Sequence, residues 1–74
     1  MTRDEVLRSL EELLEQPTNT LGGREKLDGL ERWNSLAMIG FIALVDEHFG
    51  LTLSPRQFVN CSSVDDLLKL VPFP

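Results

Sequence analysis

Apolar residues recur at helical spacing almost from the start of the chain. Val6, Leu7, Leu10, Leu13 and Leu14 lie at i, i+1, i+4, i+7 and i+8, which is one face of a helix. Arg8, Glu11, Glu12 and Glu15 take the opposite face and read as solvated charge. Thr2 and Glu5 have capping-box spacing, and the acids Asp4 and Glu5 suit the positive end of a helix dipole. A first helix is therefore predicted over about Asp4 to Glu15, closed by Pro17.

No period persists over residues 16–34. Thr18, Asn19, Gly22, Gly23, Asp28 and Gly29 are turn formers. Leu21, Leu27 and Leu30 are irregularly spaced anchors for the core. A loop of this length is unusual unless it is functional, and a helical turn around Arg24 to Leu27 is expected to interrupt it.

The longest apolar run follows, between a start signal at Asn34-Ser35 and a stop at Gly50. Met38, Phe41, Ile42, Val45 and Phe49 form one stripe at 100° per residue and are expected to face the core. Leu36, Gly40, Ala43, Leu44 and Glu47 lie opposite, small and apolar where solvated charge is usual. A helix apolar on both sides is central to a bundle or presents a docking surface. Ser54-Pro55 with Gln57 marks a short third helix ending near Asn60. Ser62-Ser63, with Asp65 and Asp66, opens a fourth, whose Val64, Leu67, Leu68 and Val71 have helix spacing and which Pro72 ends. The predicted fold is all-α: a small four-helix bundle of three longer helices and one short one, with a long loop between the first two. No alternating strand pattern competes.

Seventy-four residues are expected to make one domain, residues 1–74. The single cysteine, Cys61, forms no internal disulfide and has no metal-ligand spacing around it. With no signal-type apolar stretch at the N-terminus, a reduced, cytoplasmic location is expected. Leu36 to Val45 is about half the roughly 20 apolar residues of a membrane span. The net charge of −5 disfavours nucleic acid, which requires a basic face.

An ordinary enzyme site is hard to assemble from these residues, and none is expected. The only histidine, His48, lies 13 positions from Ser35 on one helix, roughly 20 Å away, too far to serve it as a base. Cys61 reads as an incidental small residue. Trp33 reads as a wedge packing the loop onto the central helix, or as a recognition aromatic. Ser35 has two readings. It, or Asn34, is simply the helix cap. Alternatively, it offers a hydroxyl at a helix start, where free N–H groups and the dipole favour a phosphate.

Leu30-Glu31-Arg32-Trp33-Asn34-Ser35-Leu36, the apolar helix ending Val45-Asp46-Glu47-His48-Phe49-Gly50-Leu51, and Ser62-Ser63-Val64-Asp65-Asp66-Leu67 together resemble an acyl carrier protein over nearly the whole chain. The resemblance implies a 4′-phosphopantetheine arm attached covalently to Ser35, carrying an acyl or aminoacyl group as a thioester. The implied partners are a phosphopantetheinyl transferase, a loading ligase, and a downstream transferase or synthase. The carrier is expected to be a monomer that docks them through Asn34, Leu36, Ala37, Gly40, Asp46 and Glu47. Two positions depart from the family pattern: Asn34 stands where the family has Asp, and Ala37 and Gly40 replace frequent acids. These departures point to a specialised carrier, or to an unmodified module of the same fold that docks partners through the central helix.

Overall fold

The computed structural model describes residues 1–73, and they are all-α. Three α-helices, α1 (Arg3–Leu13), α2 (Ser35–Phe49) and α3 (Val64–Leu68), are joined through two 3₁₀ turns, Leu27–Gly29 and Pro55–Phe58. The expected short third helix is thus a single 3₁₀ turn. The expected longer last helix is five residues. The turn in the long loop lies at Leu27–Gly29 rather than Arg24 to Leu27. Among the described residues there is no strand, only an isolated antiparallel bridge between Lys26 and Ser63.

Local chemistry sets each boundary. At the start of α1, the Thr2 hydroxyl accepts from Glu5 N while the Glu5 carboxylate accepts from Thr2 N, the reciprocal capping box. The helix ends two residues before the predicted Glu15, because Glu15 turns left-handed, with φ 53. Gln16 N then donates to Glu11 O and Glu15 N to Glu12 O, the paired bonds of a Schellman ending. Gly50, with φ 68, supplies the left-handed stop of α2 and donates to Asp46 O. Ser54 and Gln57 reciprocate at the Pro55–Phe58 turn, as do Ser63 and Asp66 at α3.

The core is one cluster whose fully buried members include Val6, Leu10, Leu14, Phe41, Val45, Val64 and Leu67. Leu21 and Leu27 anchor the long loop in it as expected. On α2 the buried positions are Ala37, Phe41 and Val45. Met38, Ile42 and Phe49 are only half-buried. The buried stripe is thus rotated toward α1 relative to the sequence expectation. A cause lies in α1, which packs so closely on Gly40 that a Cβ there would sit 2.7 Å from Leu13 Cδ2. Phe58 meets Phe41 edge-on at 6.0 Å between centroids, which sets the second 3₁₀ turn against α2. Phe49 meets Phe73 in the same way at 5.7 Å.

Glu11 departs most from expectation. It is not part of a solvated acidic face but 2% exposed. Its carboxylate accepts from three successive backbone N–H groups of the loop, Asn19 at 3.1 Å and Thr20 and Leu21 at 2.9 Å each. The Arg8 guanidinium lies 3.3 Å away and also donates to Leu21 O and to the Asn19 side chain. Glu25 repeats the device one turn later by accepting from Gly22 N and Gly23 N. Asp65 N donates to Gly23 O at 2.8 Å and Val64 N to Glu25 O at 2.9 Å. The long loop is therefore tied by carboxylates and backbone bonds to α1 on one side and α3 on the other.

Candidate functional site

Asn34, in extended backbone with φ −145, is the cap of α2, and its Oδ1 accepts from Ala37 N at 3.0 Å. Ser35 is the first helical residue and is exposed. Among the described residues no hydrogen bond engages its hydroxyl. The two readings of Ser35 therefore separate: the cap is Asn34, and Ser35 Oγ is left for solvent. Asparagine is as good a cap as aspartate, so Asn34 performs the structural task of the residue it replaces.

The surroundings suit an anion. The first turn of α2 holds no acid. The Ser35 and Leu36 N–H groups are the first two of the helix and cannot be satisfied within it. Together with the dipole of a fifteen-residue helix, they favour a phosphodiester at Ser35 Oγ. Arg32, three residues earlier, is paired with Glu15 at 3.2 Å on the exposed surface.

Downstream of Ser35 the exposed face of α2 carries Leu36, 78% exposed, and Ile39, 60% exposed. Asp46 and Glu47 are exposed near its far end, and Thr52 Oγ1 lies 3.3 Å from Asp46 Oδ1. Val59, beside the second 3₁₀ turn, is also 78% exposed. This arrangement corrects the docking face expected from sequence. Asn34, Leu36, Asp46 and Glu47 are on the surface, but Ala37 is buried and Gly40 packs on Leu13. Ile39 and Val59 were missed. The rotation of the buried stripe toward α1 accounts for Ala37, Gly40 and Ile39. For Val59, exposure after a turn whose Phe58 points inward had no periodic signal.

Nothing else gathers into a reactive site. His48 is exposed in the last turn of α2, at the opposite end from Ser35. Cys61 is half-buried, with Sγ 3.7 Å from Gln57 O. Burial, and then the nearby Asp66 charge, push its thiol above the ordinary cysteine value, so it is a poor nucleophile. Trp33 is half-buried and packs at a 41° tilt on Phe58 of the second 3₁₀ turn, 6.0 Å between centroids. Among the described residues no group of three or more His, Cys, Asp or Glu is placed to hold a metal ion, and no helix is long and apolar enough to cross a membrane.

A family model described as a phosphopantetheine attachment site matches residues 4–71. No curated protein and no solved structure matches the chain.

Proposed function

The chain belongs to the phosphopantetheine-attachment-site family, and from that premise we propose that it is an acyl or aminoacyl carrier whose 4′-phosphopantetheine arm is attached to Ser35. Membership implies the phosphopantetheine group itself. The observation that carries the assignment to Ser35 is the division of labour at the start of α2. Asn34 caps the helix, which leaves the Ser35 hydroxyl exposed and unengaged in a field that favours phosphate.

The arm, once attached, supplies a thiol that holds cargo as a thioester. The chain's own residues do the positioning. The helix start orients Ser35 Oγ outward. The rigid core beneath, centred on Phe41 and Val45, keeps that orientation fixed. Leu36, Ile39 and Val59 offer apolar contact to a transferase, a loading ligase or a synthase, with Asp46 and Glu47 as an acidic margin. Tethering raises the effective concentration of cargo at each partner without new binding contacts. The carrier performs no catalysis and works as a monomer in the cytoplasm.

The test is incubation with coenzyme A and a phosphopantetheinyl transferase, followed by intact mass. A gain of one phosphopantetheine unit in the wild type, absent in Ser35→Ala, supports the reading. A folded wild type that stays at its original mass with several transferases refutes it. A Ser35→Ala chain that retains full activity in the cell supports instead an unmodified module docking through Leu36 and Ile39.

A further inference from the structure

Ser35 stands on a thinly anchored stretch. Between Leu27 and Ala37 no residue is buried, and only Leu30 and Trp33 are half-buried. The backbone bonds of this stretch are those of turns, Leu30 N to Leu27 O at 3.1 Å and Trp33 N to Leu30 O at 3.0 Å. At the helix start, Asn34 holds the first turn by accepting from Ala37 N through its side chain and from Met38 N through its carbonyl. Helix ends held by so little fray. The pair of Arg32 with Glu15 is exposed on both sides, and such pairs hold weakly.

Trp33 supplies a stronger tie. Its ring lies on Phe58, and Phe58 meets Phe41 edge-on, each pair 6.0 Å between centroids. Phe58 and Phe41 are both buried. Phe41 belongs to α2 itself, between one and two turns beyond Ser35. The three rings therefore run from the end of the loop, through the second 3₁₀ turn, and back into the helix that Ser35 begins. They form a bracket around Asn34 and Ser35, with tilted and edge-on ring contacts of the kind aromatic pairs prefer.

We propose that Trp33 is a positioning residue for the modification of Ser35: braced on Phe58 and Phe41, it keeps the start of α2 closed and the Ser35 hydroxyl aimed for transfer. The proposal rests on Ser35 as the attachment point. The transfer forms a bond from Ser35 Oγ to the phosphorus of coenzyme A that bears the pantetheine arm. It breaks the bond from that phosphorus to the bridging oxygen, which leaves with the adenosine bisphosphate, and the hydroxyl proton passes to a base on the transferase. The step depends on alignment, and a misplacement of about 1 Å can cost about a hundredfold in rate. Leu36 and Ile39 act differently. They offer contact area, so their loss weakens docking and raises KM. Loss of the Trp33 brace leaves docking in place and lets the hydroxyl wander within the docked complex, which lowers kcat.

The experiment follows modification of Ser35 by intact mass, with coenzyme A saturating and the carrier concentration varied, for wild type, Trp33→Ala, Trp33→Phe and Val6→Ala. Val6 is fully buried in α1, so its variant is a control for lost stability alone. Circular dichroism first sets a temperature at which each chain is folded. The expected result is a fall in kcat of at least about tenfold for Trp33→Ala with little change in KM. Trp33→Phe, which keeps a ring against Phe58, should recover most of that loss, and Val6→Ala should keep the wild-type kcat. Where Trp33→Ala does not fold, Trp33→Leu carries the same expectation, because it keeps apolar cover but offers Phe58 no ring. Hydrogen exchange reads the brace with no transferase present: the Ala37 and Met38 amides should be accelerated in the variant by a larger factor than the Val45 amide. Equal kcat for wild type and Trp33→Ala, a change in KM alone, an equal loss in Val6→Ala, or uniform acceleration of exchange along α2 overturns the positioning role and leaves Ser35 as the attachment point. A folded wild type that gains no mass refutes the attachment reading, and the positioning role falls with it.

Discussion

Replacing Glu11 by alanine removes the tie between α1 and the loop that leads to Ser35. The carboxylate serves three backbone donors and lies beside Arg8. Asn19 and Thr20 are exposed, so in Glu11→Ala their N–H groups recover water and each lost bond costs about 0.5–1 kcal/mol. Leu21 is 3% exposed. Its N–H is left unsatisfied, at a cost of about 1–3 kcal/mol. The sum is about 2–5 kcal/mol, against a total of roughly 4–11 kcal/mol for a chain of 74 residues. At about 4–8 °C per kcal/mol for a domain of this size, the melting point falls by roughly 8–40 °C.

Glu11→Gln keeps one acceptor oxygen and is expected to cost about 1–2 kcal/mol. The difference also depends on pH. Burial pushes the Glu11 carboxyl up, but the N–H groups of Leu21 and Asn19, the Arg8 charge and the N–H of Thr20 together outweigh it and hold it below its ordinary 4.5. Its contribution is therefore complete above 4.5 and is lost as pH falls through the lower folded value. Urea titrations followed by circular dichroism at pH 7, 5 and 3 measure this. Glu11→Ala should be weaker than wild type by the same margin at pH 7 and 5, and by a smaller one at pH 3. Equal stabilities at pH 7, or a margin indifferent to pH, would refute the role assigned to Glu11.

Other perturbations follow from the same packing. Phe41→Ala empties the centre of the core and should cost about 3–5 kcal/mol in a thermal or urea melt. Gly23→Ala should be strongly destabilising, because φ is 121 and a Cβ would fall 2.1 Å from Asp65 Oδ1. Glu15→Gly removes a side chain from a left-handed position and loses only an exposed pair with Arg32, so a gain of up to about 1 kcal/mol is expected. Asp66 is held at about 2, chiefly by the N–H and hydroxyl of Ser62. Its stabilising contribution is present above the ordinary 3.8 and is lost as pH falls toward 2, so Asp66→Asn should flatten the acid limb of the wild-type melting curve between those values.

The sequence made the two long helices legible because their apolar residues repeat at helical spacing and their ends carry strong signals, Thr2 with Glu5, Asn34-Ser35 and Gly50. The face α2 buries was only half legible. Periodicity placed its stripe over Met38 and Ile42, whereas the approach of α1 to Gly40 turned it toward Ala37. Nothing local to α2 records where a neighbouring helix lies. Glu11 was misread for a related reason. On the α1 wheel it sits with Glu12 and Glu15, and only the return of residues 19–21 over it makes it a buried acceptor. The last two elements were predicted too long because capping signals mark where a helix starts and not how far it runs. At the start of α2 the sequence offered both the candidate residue and its ambiguity. The hydrogen bond from Ala37 N to Asn34 resolves which residue is the cap, something spacing alone could not do.

The most direct test of the account is where the arm is attached. After treatment with transferase and coenzyme A, cleavage at arginine releases the peptide running from Trp33 to Arg56, which contains Ser35, Thr52 and Ser54. Fragmentation of that peptide should place the phosphopantetheine on Ser35, with Thr52 and Ser54 unmodified. An unmodified peptide, or the group on Ser54 or on Ser62 or Ser63 of a later peptide, would contradict the assignment of the α2 start as the carrier site.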